Sequence, residues 1–237
     1  MLPHRGLVLR SIKYSDNSLI VTVFTEVEGL HSYMVRGIHS KTSKTRTNYF
    51  HPLTLIEYTA TVSNKARLET IKEIIHAHCF TLEFNPVKNA IALFLAEVLA
   101  KTLRGTEPYP ELFQFLEYSF NTFEQQQTSL ANFHLIFLIQ YSKYLGCIPD
   151  NNFNQDNTFF GIAAGCFLPT RPDNAHYLEP EPSHRMSQLL NTNYDDAEKL
   201  MLNVTQRREL LSTLVAYYQY HHLIDSPFTS ISVLEQL

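Results

Sequence analysis

The sequence predicts an α+β chain, a small β-barrel followed by a helical domain, on three observations. Residues 5–37 alternate apolar and polar side chains and are broken by turn formers at 15–18 and 26–29. At Asn85 and Pro86 the pattern changes to a helical period, with Asn suited to an N-cap and Pro to the first helical position. Charge divides in the same way: residues 1–80 hold ten Lys and Arg against six Asp and Glu, and residues 81–237 hold nine against seventeen.

The first strand is expected over residues 7–13. Ser15, Asp16, Asn17 and Ser18 form a turn, and residues 19–25, rich in β-branched side chains, form a second strand. Residues 26–29 make a short hairpin connection with Gly29 at positive φ, and residues 30–35 are the third strand. Residues 37–51 are polar and basic. Residues 53–61 and 67–75 read as the fourth and fifth strands, with a turn at Ser63, Asn64 and Lys65. Five strands within about 75 residues, with no long helix between them, suggest a Greek-key barrel, of which the five-stranded oligonucleotide-binding barrel is the common case.

Beyond it, helices are expected from Pro86 to about Leu103, from Pro110 through Phe120, and from a Ser129 cap to Leu145, with Gly146 as stop. The third is apolar on most sides and belongs in the middle of a bundle. Residues 147–182 hold five prolines and many Asn and Asp, and read as an irregular insert. Helical patterns resume over 183–190, 194–202, about 205–222 and 230–237. The expected organisation is therefore a barrel over 1–80 and a helical domain over 81–237.

Composition narrows the function. Of 237 residues 44% are hydrophobic and 18% charged, which is a globular balance, not a disordered one. No uninterrupted apolar stretch opens the chain and none approaches a membrane span, so a cytoplasmic protein without membrane partners is expected. Cys79, Cys147 and Cys166 are odd in number and widely spaced, which fits reduced thiols. The net charge of −4 argues against a nucleic-acid binder, but its uneven distribution argues for a basic face on an acidic body.

Four constellations carry candidate chemistry. The run Arg36, His39, Lys41, Lys44 and Arg46 offers phosphate contacts, extended by Arg5, Arg10 and Lys13 if the first strand lies beside it. The plain alternative is a solvated loop. Tyr14, Tyr33, Tyr49 and Phe50 are candidates either for base stacking or for the core. His76, His78 and Cys79 form a compact group of metal-type ligands, but without a second cluster to complete a site no metal is expected. The sequence lacks a GxSxG elbow, a Walker loop, HExxH and GxGxxG, so neither an enzyme nor a cofactor is expected. Asp195 and Asp196 fit a helix start. Arg207 and Arg208 open a helix where cations are unfavourable, which invites a carboxylate partner, but a plain surface pair is the preferred reading.

These residues resemble the RecO family of DNA-repair and recombination proteins. The resemblance runs through Gly6, Leu7, Val8, Leu9 and Arg10, then Tyr14, Ser15, Asp16, Asn17, Ser18, Leu19, Ile20 and Val21, then Phe24, Thr25, Gly29, Val35, Arg36 and Gly37. It continues in Glu107-Pro108-Tyr109-Pro110-Glu111-Leu112-Phe113, in Leu145-Gly146-Cys147-Ile148-Pro149-Asp150, in the helix from Arg208 to Leu223 and in Ser230 to Leu234. The resemblance implies an oligonucleotide-binding barrel with a helical C-terminal domain. It further implies a nucleoid-associated mediator that binds single- and double-stranded DNA, engages the single-stranded-DNA-binding protein (SSB) and RecR, helps load RecA on coated gaps and anneals strands. An acidic peptide tail of SSB would meet basic residues drawn from Lys101, Arg104, Lys143, Arg207 and Arg208, and an adaptor role centred on that contact is the alternative function. Many family members carry four zinc cysteines after the Pro-Asp segment. Here residues 151–172 contain only Cys166, so the resemblance does not bring a zinc site with it.

Overall fold

The computed structural model describes residues 3–38, 47–61, 68–78, 85–126, 130–173 and 176–234. Five strands close into a barrel in the order β1-β2-β3-β5-β4. They are β1 (His4–Ser15), β2 (Ser18–Thr25), β3 (Gly29–Arg36), β4 (Leu55–Thr61) and β5 (Glu69–His78). Neighbours are antiparallel except β3 and β5, which run parallel over Tyr33–Val35. This is the oligonucleotide-binding barrel expected from the strand count.

Alternation decides what fills it. Val21 and Val23 of β2, Tyr33 and Val35 of β3, and Ile56 and Tyr58 of β4 point inward and are almost completely buried. Phe50, on the 3-10 turn Thr47–Phe50, joins this core. Tyr33 and Tyr58 meet edge to face at 5.2 Å, and burial pushes the Tyr33 hydroxyl up to about 12.

By compactness the chain divides into Met1–Glu124 and Gln125–Leu237. The first unit carries α1 (Pro86–Thr102) and most of α2 (Pro110–Gln125) with the barrel. Asn85 caps α1 as expected, its side chain accepting from the N–H groups of Val87 and Lys88 at 3.0 and 3.1 Å. Lys88, nearly buried, donates to the Glu124 carbonyl at 2.7 Å, which places a cation on the last turn of α2. Phe24 of β2 lies 6.2 Å from Phe113 of α2, so the helices cover one end of the barrel's outer surface.

In the second unit α3 (Phe133–Tyr144) is buried on nearly every side, as its uniformly apolar sequence predicts, and packs on α4 (Pro180–Leu190) and α5 (Val204–Tyr220). The Tyr218 hydroxyl donates to the Leu138 carbonyl at 2.7 Å.

Two expectations here need correcting. Residues 147–182 are not merely irregular. They form a three-stranded antiparallel sheet, β6 (Phe159–Gly161), β7 (Cys166–Leu168) and β8 (Tyr177–Leu178), in the order β7-β6-β8. Asn152 works as a strand surrogate: its amide accepts from the Phe167 N–H at 2.7 Å and donates to the Phe167 carbonyl at 3.0 Å. Nor do residues 194–202 form an α-helix; only a 3-10 turn, Ala197–Lys199, appears. Tyr194 is held by stacking on Phe133 at 4.8 Å, the Asn193 side chain accepts from the Asp196 N–H at 2.9 Å, and Asn132 donates to the Leu200 carbonyl at 2.6 Å. These contacts fix the segment's two ends in a shape no continuous helix fits. The last helix, α6, covers Ile231–Leu234 of the described residues, and Ser129 lies outside them.

Candidate nucleic-acid interface

The face of interest is the outer surface of the β1–β2–β3 ribbon. Register fixes what occupies it. Arg10 pairs with Thr22 and Thr22 with Ser32; Ile12 pairs with Ile20 and Ile20 with Met34; Ser18 pairs with Arg36. Because Val21, Val23 and Val35 point into the core, these intervening residues point out. Arg10 and Arg36, both exposed, therefore stand on one face, their β2 partners Thr22 and Ser18 four residues apart.

The end of the ribbon is tied to the start of the basic run. The Gly37 N–H donates to the Asn17 carbonyl at 2.9 Å, so the exit of β3 is fixed against the β1–β2 turn. Lys13, close to that turn, pairs with Asp16 at 2.8 Å. Both side chains are largely exposed, and such a pair contributes little and exchanges readily for a stronger anion. His39, Lys41, Lys44 and Arg46 lie outside the described residues; the run containing them is bounded by Ile38 and by Phe50, both in the barrel core.

Arg5 does not join this group. It sits at the opposite end of β1, pairs with Glu117 of α2 and with Glu26 at 3.5 Å, and lies 5.6 Å from the ring of Phe113. The ribbon is thus polarised along its length, with Arg10, Lys13 and Arg36 toward one end and Glu26 and Glu28 at the other.

The four aromatic candidates separate cleanly. Tyr33 and Phe50 are core, and Tyr49 packs against the core. Tyr14 is 66% exposed, at an irregularity in the β1–β2 register. Sequence reading missed the apolar row Ile12, Ile20 and Met34. The signal was present: these residues fall in the outward phase of strands whose inward phase is already filled by valines.

His76 and His78 face a cleft of about 300 Å³ together with Arg5, Glu57 and Glu117, and His78 meets Glu124 at 2.9 Å. Among the described residues no three His, Cys, Asp or Glu side chains converge as metal ligands; Cys79 lies outside them.

The residues considered for an acidic partner are distributed over both units. Lys101 pairs with Glu97 at 3.0 Å on α1, and Arg104 follows that helix. Lys143 is exposed in the last turn of α3. Among the described residues no carboxylate pairs with Arg207, and it is not a plain surface cation either. It is half-buried and donates to the Leu202 carbonyl at 2.6 Å, and burial followed by repulsion from Arg208 lowers its pKa. Arg208 is exposed beside it. Met201, 90% exposed, and Val204 add apolar surface just before these two cations.

Fold and site together define an oligonucleotide-binding barrel protein with a helical C-terminal part. Comparison with known proteins agrees in detail. The recombination protein O N-terminal family matches residues 1–80, and the recombination protein O C-terminal family matches residues 83–227. Proteins named DNA repair protein RecO are similar over nearly their whole length. That of Phocaeicola vulgatus is 34% identical over 98% of this chain and 97% of its own. That of Bacteroides fragilis is 35% identical over the same shares, and that of Flavobacterium psychrophilum is 35% identical over 92% of this chain and 90% of its own. The chain belongs to the recombination protein O family. Among the described residues no helix is long and apolar enough to cross a membrane.

Proposed function

We propose that this protein is a non-enzymatic mediator of DNA repair and homologous recombination. It binds single- and double-stranded DNA through the outer ribbon face, engages SSB and RecR, helps load RecA onto SSB-coated DNA, and anneals complementary strands. Its place is the cytoplasm, on the nucleoid. Family membership and the names of its relatives support the repair role. The observation that carries DNA contact is the placement of Arg10 and Arg36 on one exposed barrel face; Lys13, paired with the inward-phase Leu19, is exposed near the same end of the ribbon. Cations so arranged neutralise phosphates without reading bases, as contact with DNA of any sequence requires. The proposed contacts are Arg10, Lys13 and Arg36, with His39, Lys41, Lys44 and Arg46 continuing them. Arg5, occupied by two glutamates, is assigned instead to holding the barrel on α2. For function we divide the chain at residue 80, the barrel touching DNA and residues 81–237 recruiting partners.

A second surface has its own support. Met201 and Val204 stand exposed beside Arg207 and Arg208, an apolar patch with cations suited to an acidic peptide ending in a hydrophobic side chain. The acidic tail of SSB is the peptide proposed. In a reconstituted assay, adding the protein with RecR to SSB-coated single strands should shorten the lag before RecA hydrolyses ATP. An unchanged lag contradicts the mediator reading. A labelled tail peptide should bind the full chain and lose affinity on Arg208→Glu.

A further inference from the structure

The outward row Ile12–Ile20–Met34 is an anomaly for a solvent-facing strand surface. Inward positions of β1–β3 already supply the core, and the outer face near Phe24 is covered by Phe113. Farther along the strands, the outward side chains stay apolar. Ile12 is 45% exposed, Ile20 and Met34 are half-buried, and Tyr14, just past the row, is 66% exposed. Neighbouring strands lie about 4.8 Å apart, so the row spans roughly 10 Å, enough to carry one or two base rings. Arg10 stands one row to one side of it and Arg36 one row to the other, each roughly 7 Å away along the strands.

We infer that Ile12, Tyr14, Ile20 and Met34 form a stacking platform that selects unpaired bases, with Arg10 and Arg36 holding the phosphates on either side. The inference rests on the reading of this face as the DNA-binding surface and goes further by assigning its preference for strand form. A π face rests on aliphatic and phenolic carbon without regard to sequence, which suits a protein that must accept any single strand. A duplex presents no base faces. It would lay charged phosphates on the apolar row, and desolvating them costs energy that nothing on the row returns. A second copy of this chain is a poorer occupant. A two-fold contact centred on the row gathers four cations, Arg10 and Arg36 of each copy, around one patch.

The test uses the full-length protein and three probes of equal length: a single-stranded oligonucleotide, an abasic strand with the same phosphates, and a duplex. Binding is followed by fluorescence anisotropy for wild type, for the double variant Ile12→Ser, Tyr14→Ala, and for the double variant Arg10→Glu, Arg36→Glu. Melting temperature is measured for each. The stacking variant should bind the single strand about tenfold or more weakly and leave abasic and duplex binding unchanged. Wild type should prefer the normal strand to the abasic one by a similar factor. Equal losses on all three probes, or no loss on any, overturns the platform. A wild-type dimer that the stacking variant converts to monomer also overturns it, by assigning the row to self-association. The charge variant separates this from failure of the wider reading: if it binds all probes as wild type does, the ribbon is not the DNA surface at all.

Discussion

Gly29 and Gly37 both sit at positive φ, +69° and +77°, but their surroundings differ. A Cβ on Gly29 would fall 2.5 Å from the Glu107 carbonyl oxygen, where the β2–β3 turn lies against the α1–α2 connection, whereas one on Gly37 meets nothing within 4 Å. Gly37→Ala should therefore cost only the left-handed backbone term, roughly 1 kcal/mol, and Gly29→Ala roughly 2–4 kcal/mol, both read from urea midpoints. The positive φ at Gly29 was legible in the sequence from its place in a hairpin; the crowding was not, because Glu107 is distant along the chain. His134 shows a second effect sequence does not display. Fully buried, and with Arg207 near, it is held neutral down to about 3 against an ordinary 6.5. The unfolded chain takes up that proton first as pH falls, so this residue's contribution is intact above pH 6.5 and declines steadily from there toward pH 3. His134→Gln should flatten the dependence of stability on pH in that window relative to wild type. Identical slopes would contradict a buried neutral imidazole.

At the scale of elements, β1 is the instructive case. Its first half closes the barrel against β4 and its second half projects with β2, the change marked by a register shift between Val8 and Arg10. One strand thus carries a structural cation, Arg5, and two surface cations, Arg10 and Lys13. The sequence grouped all three by proximity in the chain. Arg5→Ala should lower stability by about 1 kcal/mol and leave DNA affinity unchanged, while Arg10→Glu should do the reverse. The strands themselves were legible because alternation is a local property. The sheet of β6, β7 and β8 was not, since its strands are two or three residues long and depend on Asn152 and Ser183. The Ser183 hydroxyl accepts from the Phe160 N–H at 2.8 Å and donates to the Leu178 carbonyl at 3.0 Å. Asn152→Ala should leave both backbone groups of Phe167 without these partners and cost about 1–3 kcal/mol in urea unfolding. The helix expected over 194–202 failed for a related reason: its period was overridden by the stacking of Tyr194 and the anchoring of Leu200.

Across the whole molecule, charge and fold tell one story. A chain of net charge −4 would not be chosen as a polyanion binder, yet its cations concentrate in the first eighty residues and its carboxylates in the rest. Long-range repulsion from the acidic remainder would leave the proposed DNA binding dependent on local contacts and hence on salt. The barrel, the helical region and the family were all readable from ordered short motifs, because each motif marks a turn or a cap that the fold requires. Which cations share a face was not readable, since that depends on register. The most direct measurement is the salt dependence of single-strand binding for wild type and for Arg10→Glu, Arg36→Glu. The slope of log affinity against log salt should become shallower by about 1.4 when these two phosphate contacts are lost. Equal slopes and affinities for the two proteins would contradict the ribbon face as the DNA-binding surface.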